Sequence, residues 1–162
     1  MTHGPSDAPA GAGPDRPDRP LRIGWKEYVA LPDWNIRRLR AKADTGARTS
    51  VLDVASYDLY QAEGGGLMAR LRLALWRKNV GRLRVLEVPV LRTVVVCNSG
   101  GMREQRPVIQ ARIRLGPVDK VIRLTVTNRA SMRFRMLLGR EALRGSFVVD
   151  PSEQYLLRPR RS

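Results

Sequence analysis

The chain has 162 residues, of which 43% are hydrophobic, and this is enough for one domain with a compact core. Its net charge of +15 predicts attraction to polyanions such as nucleic acid, acidic peptides or acidic membrane surfaces. No run approaches the roughly 18 apolar residues of a membrane span, and the N-terminus lacks the apolar core of a signal peptide. The single cysteine, Cys97, cannot form an internal disulfide. We therefore expect a soluble cytoplasmic protein without a membrane partner.

Residues 1–20 are rich in Pro, Gly, Ala and Asp and end in the repeat PDRPDRP. Because they have no periodic apolar pattern, we expect a disordered N-terminal tail, followed by one folded domain over 21–158 and a basic end over 159–162. The only histidine, His3, lies in the tail. This position argues against a functional histidine.

The rest of the chain predicts a mainly β domain with one short helix. Apolar residues at period two predict a first strand over 21–31, which Pro32 and Asp33 end, and a second strand over 34–43. Residues 57–66 are predicted to be a loop, because they include three consecutive glycines, and 76–81 a turn. Further strands are predicted over 67–75, 82–90, 91–97, 106–115, 121–127, 134–138 and 147–150, and a short helix over 139–143 ends at Gly145.

Arginine alternates with apolar residues in three of these strands. The pairs are Arg70 with Arg72, Arg82 with Arg84, and Arg112 with Arg114. Such alternation is typical of half-buried strands with arginine on the solvent side, and charges there keep strand edges from aggregating. We favour this interpretation over a dedicated nucleic-acid surface.

The stretch at 41–52, AKADTGARTSVL, interrupts the strand pattern with a turn at Thr45, Gly46 and Ala47. It places Asp44 at a strand-to-turn junction, where an acid can be held rigidly and still reach a cleft. Gly46 lets another backbone approach closely, and this favours a second copy of the same loop. Two carboxylates within about 3 Å share one proton and can activate a water. The competing interpretation is a plain turn, since Asp, Thr and Gly are common turn formers.

Lys42 and Arg48 flank Asp44 in the sequence. A cation within about 4 to 6 Å favours an ionised carboxylate, so these residues could act on an acid pair or bind acidic side chains of a substrate. The sequence equally allows both to point outwards.

Asp44-Thr-Gly-Ala followed by RTSVL resembles the active-site loop of retroviral-type aspartic proteases, the retropepsins. MLLGREAL at 136–143 is similar to the segment that supports that loop, and NSGGM at 98–102 lies where the family carries its flap. A closer resemblance is to bacterial single-domain retropepsin-like proteins, which often carry the name ATP-dependent zinc protease. It covers nearly everything after the first twenty residues, including IGWKEYVALPD, KADTGARTS, EQRPVI, LTVTNRASMRFRMLLGREAL and FVVDPSEQYLL.

The resemblance implies a retropepsin-like six-stranded barrel with one short C-terminal helix, assembled as a homodimer through its terminal strands. It also implies that residues 57–90 add a hairpin that extends the barrel. Asp44 would be the catalytic residue. Residues supporting its loop would be Thr45, Gly46, Ala47, Leu137, Leu138, Gly139 and Arg140.

For Arg140, an ion pair with Asp53 or Glu141 is expected. The resemblance further implies a substrate-binding flap with Gly100, Gly101 and Met102 at its tip and Arg48 nearby. In related proteins a histidine occupies the position of Met102.

Only one Asp-Thr-Gly occurs in the chain, so a working acid pair requires Asp44 from each of two chains. This predicts an aspartic-type endopeptidase that uses no metal or other cofactor and acts on a peptide or protein substrate. The basic surroundings favour acidic peptides. Family members have been linked to a ribosomal-protein glutamate ligase, which implies glutamate-rich tails as a substrate class.

Two alternatives stay open. The first is a catalytically inactive binding module for RNA or an acidic protein partner, although nucleic acid is the less favoured partner. The second is a metal-dependent peptidase, as the family's zinc protease name implies. The sequence has neither H-E-x-x-H for zinc nor G-x-x-x-x-G-K-[ST] for ATP, and a serine or cysteine triad would lack its base.

Overall fold

The computed structural model of the chain describes residues 19–75, 82–97, 100–129 and 133–158. The predicted tail, apart from residues 19 and 20, lies outside the described residues. So do the basic end at 159–162, the predicted turn at 76–81, and residues 98 and 99 of the predicted flap.

Strands make up most of the described chain. In chain order they are β1 (Leu21–Gly24), β2 (Lys26–Leu31), β3 (Ile36–Ala43), β4 (Ser50–Asp53), β5 (Ser56–Gln61), β6 (Leu67–Ala74), β7 (Leu83–Pro89), β8 (Arg92–Cys97), β9 (Arg103–Leu115), β10 (Val118–Thr127), β11 (Met136–Leu138) and β12 (Phe147–Asp150). One short α-helix, α1 (Arg140–Leu143), follows β11, and a 3₁₀ turn at Pro32–Trp34 separates β2 from β3.

Six strands close into a barrel. The main sheet has the order β10-β4-β11-β3-β2-β9-β8, and the long hairpin between β9 and β10 joins its two sides. Strand β8 continues the sheet beyond the closed barrel. The barrel is filled by alternate residues of its strands, including Ile109, Leu124 and Met136, which are fully buried. The predicted fold class, a mainly β six-stranded barrel with one short C-terminal helix, is confirmed; the homodimer stays a prediction.

The predicted first strand at 21–31 is divided at Trp25. Strand β1 pairs in parallel with β12, whereas β2 enters the barrel beside β3. The break occurs where the C-terminal segment crosses the chain: Trp25 N donates to Glu153 O at 2.9 Å. A Cβ on Gly24 would lie 2.5 Å from Glu153 O, so this crossing requires glycine.

Strands β5, β6 and β7 form a separate antiparallel sheet in that order. The prediction of a loop at 57–66 is therefore wrong for Ser56–Gln61, and the glycines form only the following turn. The prediction that a hairpin here extends the barrel is also wrong, because these strands pair with one another. Strand β5 was hard to predict because none of its residues is buried and its one aliphatic residue, Leu59, is 42% exposed.

The alternation of arginine with buried apolar residues is confirmed in two of the three strands. Leu71 and Leu73 are buried between arginines in β6, and Ile113 and Leu115 are buried in β9.

Strand β7 is the exception, since its Leu83 is 39% and its Val85 55% exposed. Here Arg84 faces protein instead and donates to Trp34 O at 2.9 Å and Asn35 O at 3.1 Å. The pattern fails because β7 is an edge strand outside the barrel.

In the part of the chain that the structure describes, no helix is long and apolar enough to cross a membrane.

Glu27 ties the C-terminal segment to the start of the domain. Its carboxylate is 2% exposed and accepts backbone hydrogen bonds from Gly24 (2.7 Å), Leu156 (3.0 Å) and Leu157 (3.2 Å). A buried carboxylate requires such compensation, and here three N–H groups supply it.

We expect Glu27→Gln to lower the free energy of unfolding by about 1–3 kcal/mol, because the amide nitrogen cannot accept and leaves a buried N–H without a partner. Urea unfolding measures the loss, and hydrogen exchange at Leu156 and Leu157 locates it. The control is Glu63→Gln, which makes the same change at an exposed turn residue. Equal midpoints for the two variants would contradict the role of Glu27.

Candidate active site

The Asp44 loop begins where β3 ends, and its own backbone holds the carboxylate. Asp44 N donates to Leu138 O at 2.8 Å, and Gly46 N donates to Asp44 Oδ1 at 3.1 Å. The loop closes as Ala47 N donates to Asp44 O at 3.3 Å. Asp44 is half-buried, whereas Thr45 and Gly46 are exposed. The carboxylate is thus fixed at the strand-to-turn junction and still reachable from outside.

Strand β11 inserts between the strands on either side of this loop. It runs parallel to β3, with Leu138 opposite Ala43, and antiparallel to β4, with Leu137 opposite Val51. Leu138 is buried and Leu137 is half-buried. The insertion brings the MLLGREAL segment directly against the loop.

The residues that follow β11 bind the second half of the loop one after another. Gly139 N donates to Ser50 Oγ at 3.0 Å, Arg140 N to Ala47 O at 2.8 Å, and Glu141 N to Arg48 O at 3.0 Å. These bonds use N–H groups that the first turn of α1 leaves without partners inside the helix. The first residues of α1 and the Asp44 loop therefore provide hydrogen-bond partners for each other.

Gly139 stands where the two segments are closest. A Cβ at this position would lie 2.7 Å from the carbonyl carbon of Thr49 and 2.9 Å from Arg48 O. Its φ of −82° is available to any residue, so the requirement for glycine comes from the space alone.

Arg140 does not form the predicted ion pair. Its Nη1 donates to Thr45 O at 2.9 Å, so the guanidinium braces the tip of the Asp44 loop. The two predicted partners are bound elsewhere. Asp53 is bound by Arg135 and by Arg129 N (2.7 Å), and Glu141 by Arg48. Burial raises the pKa of Asp53, although both of its partners act in the opposite direction.

Neither of the two cations that flank Asp44 in the sequence forms an ion pair with it. Arg48 Nε lies 3.2 Å from Glu141 Oε1, with a side chain that is 80% exposed, and Lys42 is also exposed. Within the described ranges, no Lys or Arg forms an ion pair with Asp44.

The predicted flap is a hairpin of β8 and β9. The strands pair from Arg92 opposite Val108 to Cys97 opposite Arg103. Gly101 has a φ of +80°, which favours glycine, and Met102 is 70% exposed. Gly100 is exposed as well. The hairpin therefore carries its predicted tip residues into solvent.

A cavity of about 190 Å³ lies between this hairpin and the Asp44 loop, and the sequence analysis missed it. We call it the Arg92 cavity. It is lined by Arg48, Thr49, Arg92, Val94, Val108, Arg123, Thr125 and Glu141. Arg48 was singled out from the sequence, but Arg92 and Arg123 belong to strands that only the sheet register brings together.

No group of three or more His, Cys, Asp or Glu side chains that could hold a metal ion occurs among the described residues.

We expect Gly139→Ala to destabilise the domain by about 1–3 kcal/mol, because the added methyl group overlaps the backbone at residues 48–49. Thermal unfolding measures the shift. The matched control is Gly66→Ala, where a Cβ would meet nothing within 4 Å. If both variants unfold at the same temperature, the close approach is not a constraint on the loop.

Comparison with known proteins places the chain in a family. The model of the RimB-like family, described as retropepsin-like aspartic endopeptidase RimB, matches residues 22–160. Among similar curated proteins, one from Shewanella pealeana is 35% identical over 140 residues (86% of this chain), and one from Desulfotalea psychrophila is 34% identical over 137 residues (83%). Both are named probable alpha-L-glutamate ligase. This chain spans only 30% and 29% of their respective lengths.

A solved structure has the same fold. It is a protein of unknown function (DUF785) from Legionella pneumophila, with a TM-score of 0.69 and 25% sequence identity. The match covers 85% of this chain and 98% of the Legionella chain. With the family match over 22–160, these findings show that the chain belongs to the RimB-like family of retropepsin-like aspartic endopeptidases.

Proposed function

We propose that the protein is an aspartic-type endopeptidase whose active site forms when Asp44 of one chain meets Asp44 of a second copy. The observation that carries the proposal is the environment of the Asp44 carboxylate. Backbone groups hold its loop on both sides, and no cation pairs with it in the described part of the chain. A carboxylate held in this way can exchange protons with a water, because no permanent counter-ion competes for it.

The proposed second copy follows from the number of acids. One Asp-Thr-Gly per chain supplies one carboxylate, whereas the chemistry requires two that share a proton. Thr45 and Gly46 are exposed at the tip of the loop, where a symmetry-related loop would approach. Membership of a retropepsin-like family supports this assembly.

In the proposed mechanism, the ionised Asp44 takes a proton from a water, and the water oxygen attacks the scissile carbonyl carbon. The protonated Asp44 of the other copy gives its proton to the carbonyl oxygen, which yields a neutral tetrahedral diol. When the C–N bond breaks, the Asp44 that took the proton from water gives it to the amine nitrogen, and one diol hydroxyl returns its proton to the Asp44 of the other copy. The new carboxylic acid keeps both oxygens, and the acid pair is back in its starting state. No covalent bond to the enzyme forms at any step.

We propose that the substrate is an extended acidic peptide, with glutamate-rich tails as the favoured class. The peptide would pair with the β8–β9 hairpin as an added strand. The net charge of +15 favours acidic sequences. The similarity to proteins named glutamate ligase points to glutamate in particular. The single cysteine favours the cytoplasm as the compartment of this activity.

A second candidate is an RNA-binding module without peptidase activity. The rings of Tyr28 and Tyr155 stack with centroids 4.6 Å apart, and the Arg38 and Arg158 guanidinium carbons lie 4.1 and 5.6 Å from the Tyr28 ring centroid. Aromatic rings among arginines are typical of surfaces that bind single-stranded nucleic acid. This candidate predicts a steep salt dependence of RNA affinity that Asp44→Asn leaves unchanged.

We expect Asp44→Asn to reduce peptide cleavage by at least about 10²-fold, because an amide can neither take a proton from water nor give one to the carbonyl. The measurement is the rate of cleavage of a glutamate-rich peptide library, read by mass spectrometry. Asp58→Asn serves as the control, since it removes an exposed carboxylate that pairs with Arg72. Undiminished cleavage by Asp44→Asn would reject the proposal.

We expect the specific activity to fall as the protein is diluted and its mass in solution drops from dimer to monomer. Light scattering and rate measurements over the same concentration range test this. A chelator distinguishes this proposal from the metal-dependent peptidase, because it should leave the activity of an acid pair unchanged. An activity per chain that stays constant down to a proven monomer would contradict the shared site.

A further inference from the structure

The Arg92 cavity owes its shape to one row of side chains across three strands. Arg92 of β8 lies opposite Val108 of β9, and Val108 lies opposite Thr125 of β10. Val94 comes two residues after Arg92 in β8, and Arg123 comes two residues before Thr125 in β10, so both point to the same side of the sheet as the row. Val108 and Thr125 are buried and form the floor, while the arginines rise at the rim.

The charges around the cavity are unbalanced. Three arginines, Arg48, Arg92 and Arg123, face a single carboxylate, Glu141. That carboxylate lies 3.2 Å from Arg48 Nε but 3.9 Å from Arg123 Nη2, so it is committed mainly to Arg48. No carboxylate of the described residues forms an ion pair with Arg92. A concave site with a net positive charge concentrates anions, and guanidinium groups bind carboxylates with two parallel hydrogen bonds.

One cavity residue, Arg48, lies close in sequence to Asp44, beside which the scissile bond of the substrate would lie. Arg48 is four residues after Asp44, so their Cα atoms are at most about 14 Å apart. An extended peptide advances about 3.3 Å per residue, so that distance corresponds to about four residues of substrate. Two other lining residues, Arg92 and Val94, belong to β8, the strand along which the peptide would run.

We propose that the Arg92 cavity is a carboxylate-binding subsite, in which Arg92 and Arg123 hold an acidic side chain of the peptide within about four residues of the scissile bond. This inference rests on the proposed peptidase function for the position of the peptide. The bound carboxylate replaces Glu141 as the partner of Arg123, because the Arg123–Glu141 contact is longer than the Arg48–Glu141 contact. The ion pair of Arg48 and Glu141 stays in place.

Binding tests the subsite without any need for activity. The probes are fluorescein-labelled hexaglutamate and hexaglutamine, titrated by fluorescence anisotropy into full-length Asp44→Asn protein. On this background we expect Arg92→Gln and Arg123→Gln each to weaken hexaglutamate binding about three- to tenfold, as the loss of one partly exposed charge contact allows. Arg37→Gln removes the same charge from an exposed position of β3 that does not line the cavity, and it should change affinity less than about twofold.

Equal effects of Arg92→Gln, Arg123→Gln and Arg37→Gln would mean that only the overall charge attracts the peptide, and this would overturn the subsite. Equal weakening of hexaglutamine binding would also overturn the subsite, since an uncharged side chain cannot form an ion pair with the arginines.

Cleavage separates the subsite from the peptidase function. In a series of peptides that carry one glutamate at successive positions, wild-type protein should prefer one position over its glutamine counterpart, mainly through KM. Arg92→Gln should remove that preference, whereas Arg37→Gln, at a position that does not line the cavity, should retain it. A preference that survives Arg92→Gln overturns the subsite alone. Absence of any cleavage, with arginine-dependent binding retained, overturns the peptidase function and leaves the carboxylate site standing.

Discussion

The close approach of Gly139 to the backbone at residues 48–49 is the constraint on which the candidate site depends. It lets β11 lie between β3 and β4, and it lets three successive N–H groups bind the outgoing half of the Asp44 loop. A carboxylate on an unsupported turn would sample many orientations, and each would cost conformational entropy to restrict. Here backbone N–H groups supply the restriction, and among the described residues the Asp44 carboxylate accepts one hydrogen bond, from Gly46 N, and forms no ion pair.

The surroundings of Asp44 differ from those of the other carboxylates in this arginine-rich chain. Asp53 is bound by Arg135, Asp119 lies between Arg112 and Arg114, and Glu141 holds Arg48. For Asp119 these arginines lower the pKa, as expected for a carboxylate that is permanently ionised. In the described residues, the Asp44 carboxylate accepts a hydrogen bond only from Gly46 N of its own loop. Arginine thus neutralises Asp53, Asp119 and Glu141, whereas in the described residues none forms an ion pair with Asp44, the acid with a proposed chemical role.

Much of this architecture could be predicted from the sequence because it depends on local patterns. Period-two burial located most strands, and the Asp44 loop and MLLGREAL segment meet as the family resemblance implied. The errors arose where long-range packing overrides pattern. Strand β5 has no buried residue, and Arg84 reaches the 3₁₀ turn from an edge strand. The partner of Arg140 and the Arg92 cavity depend on registers between distant strands, and periodicity does not contain that information.

The anchoring of Leu156 by Glu27, across 129 positions of sequence, bears on how the protein is made. Strand β1 likewise pairs with β12, so the beginning of the domain finds its partners only at the end. During synthesis, β1 must wait until residues 147–150 have left the ribosome before it can pair with β12. Contacts of such high sequence separation slow folding, and the arginine-rich nascent chain spends that interval next to ribosomal RNA, whose negative charge attracts it.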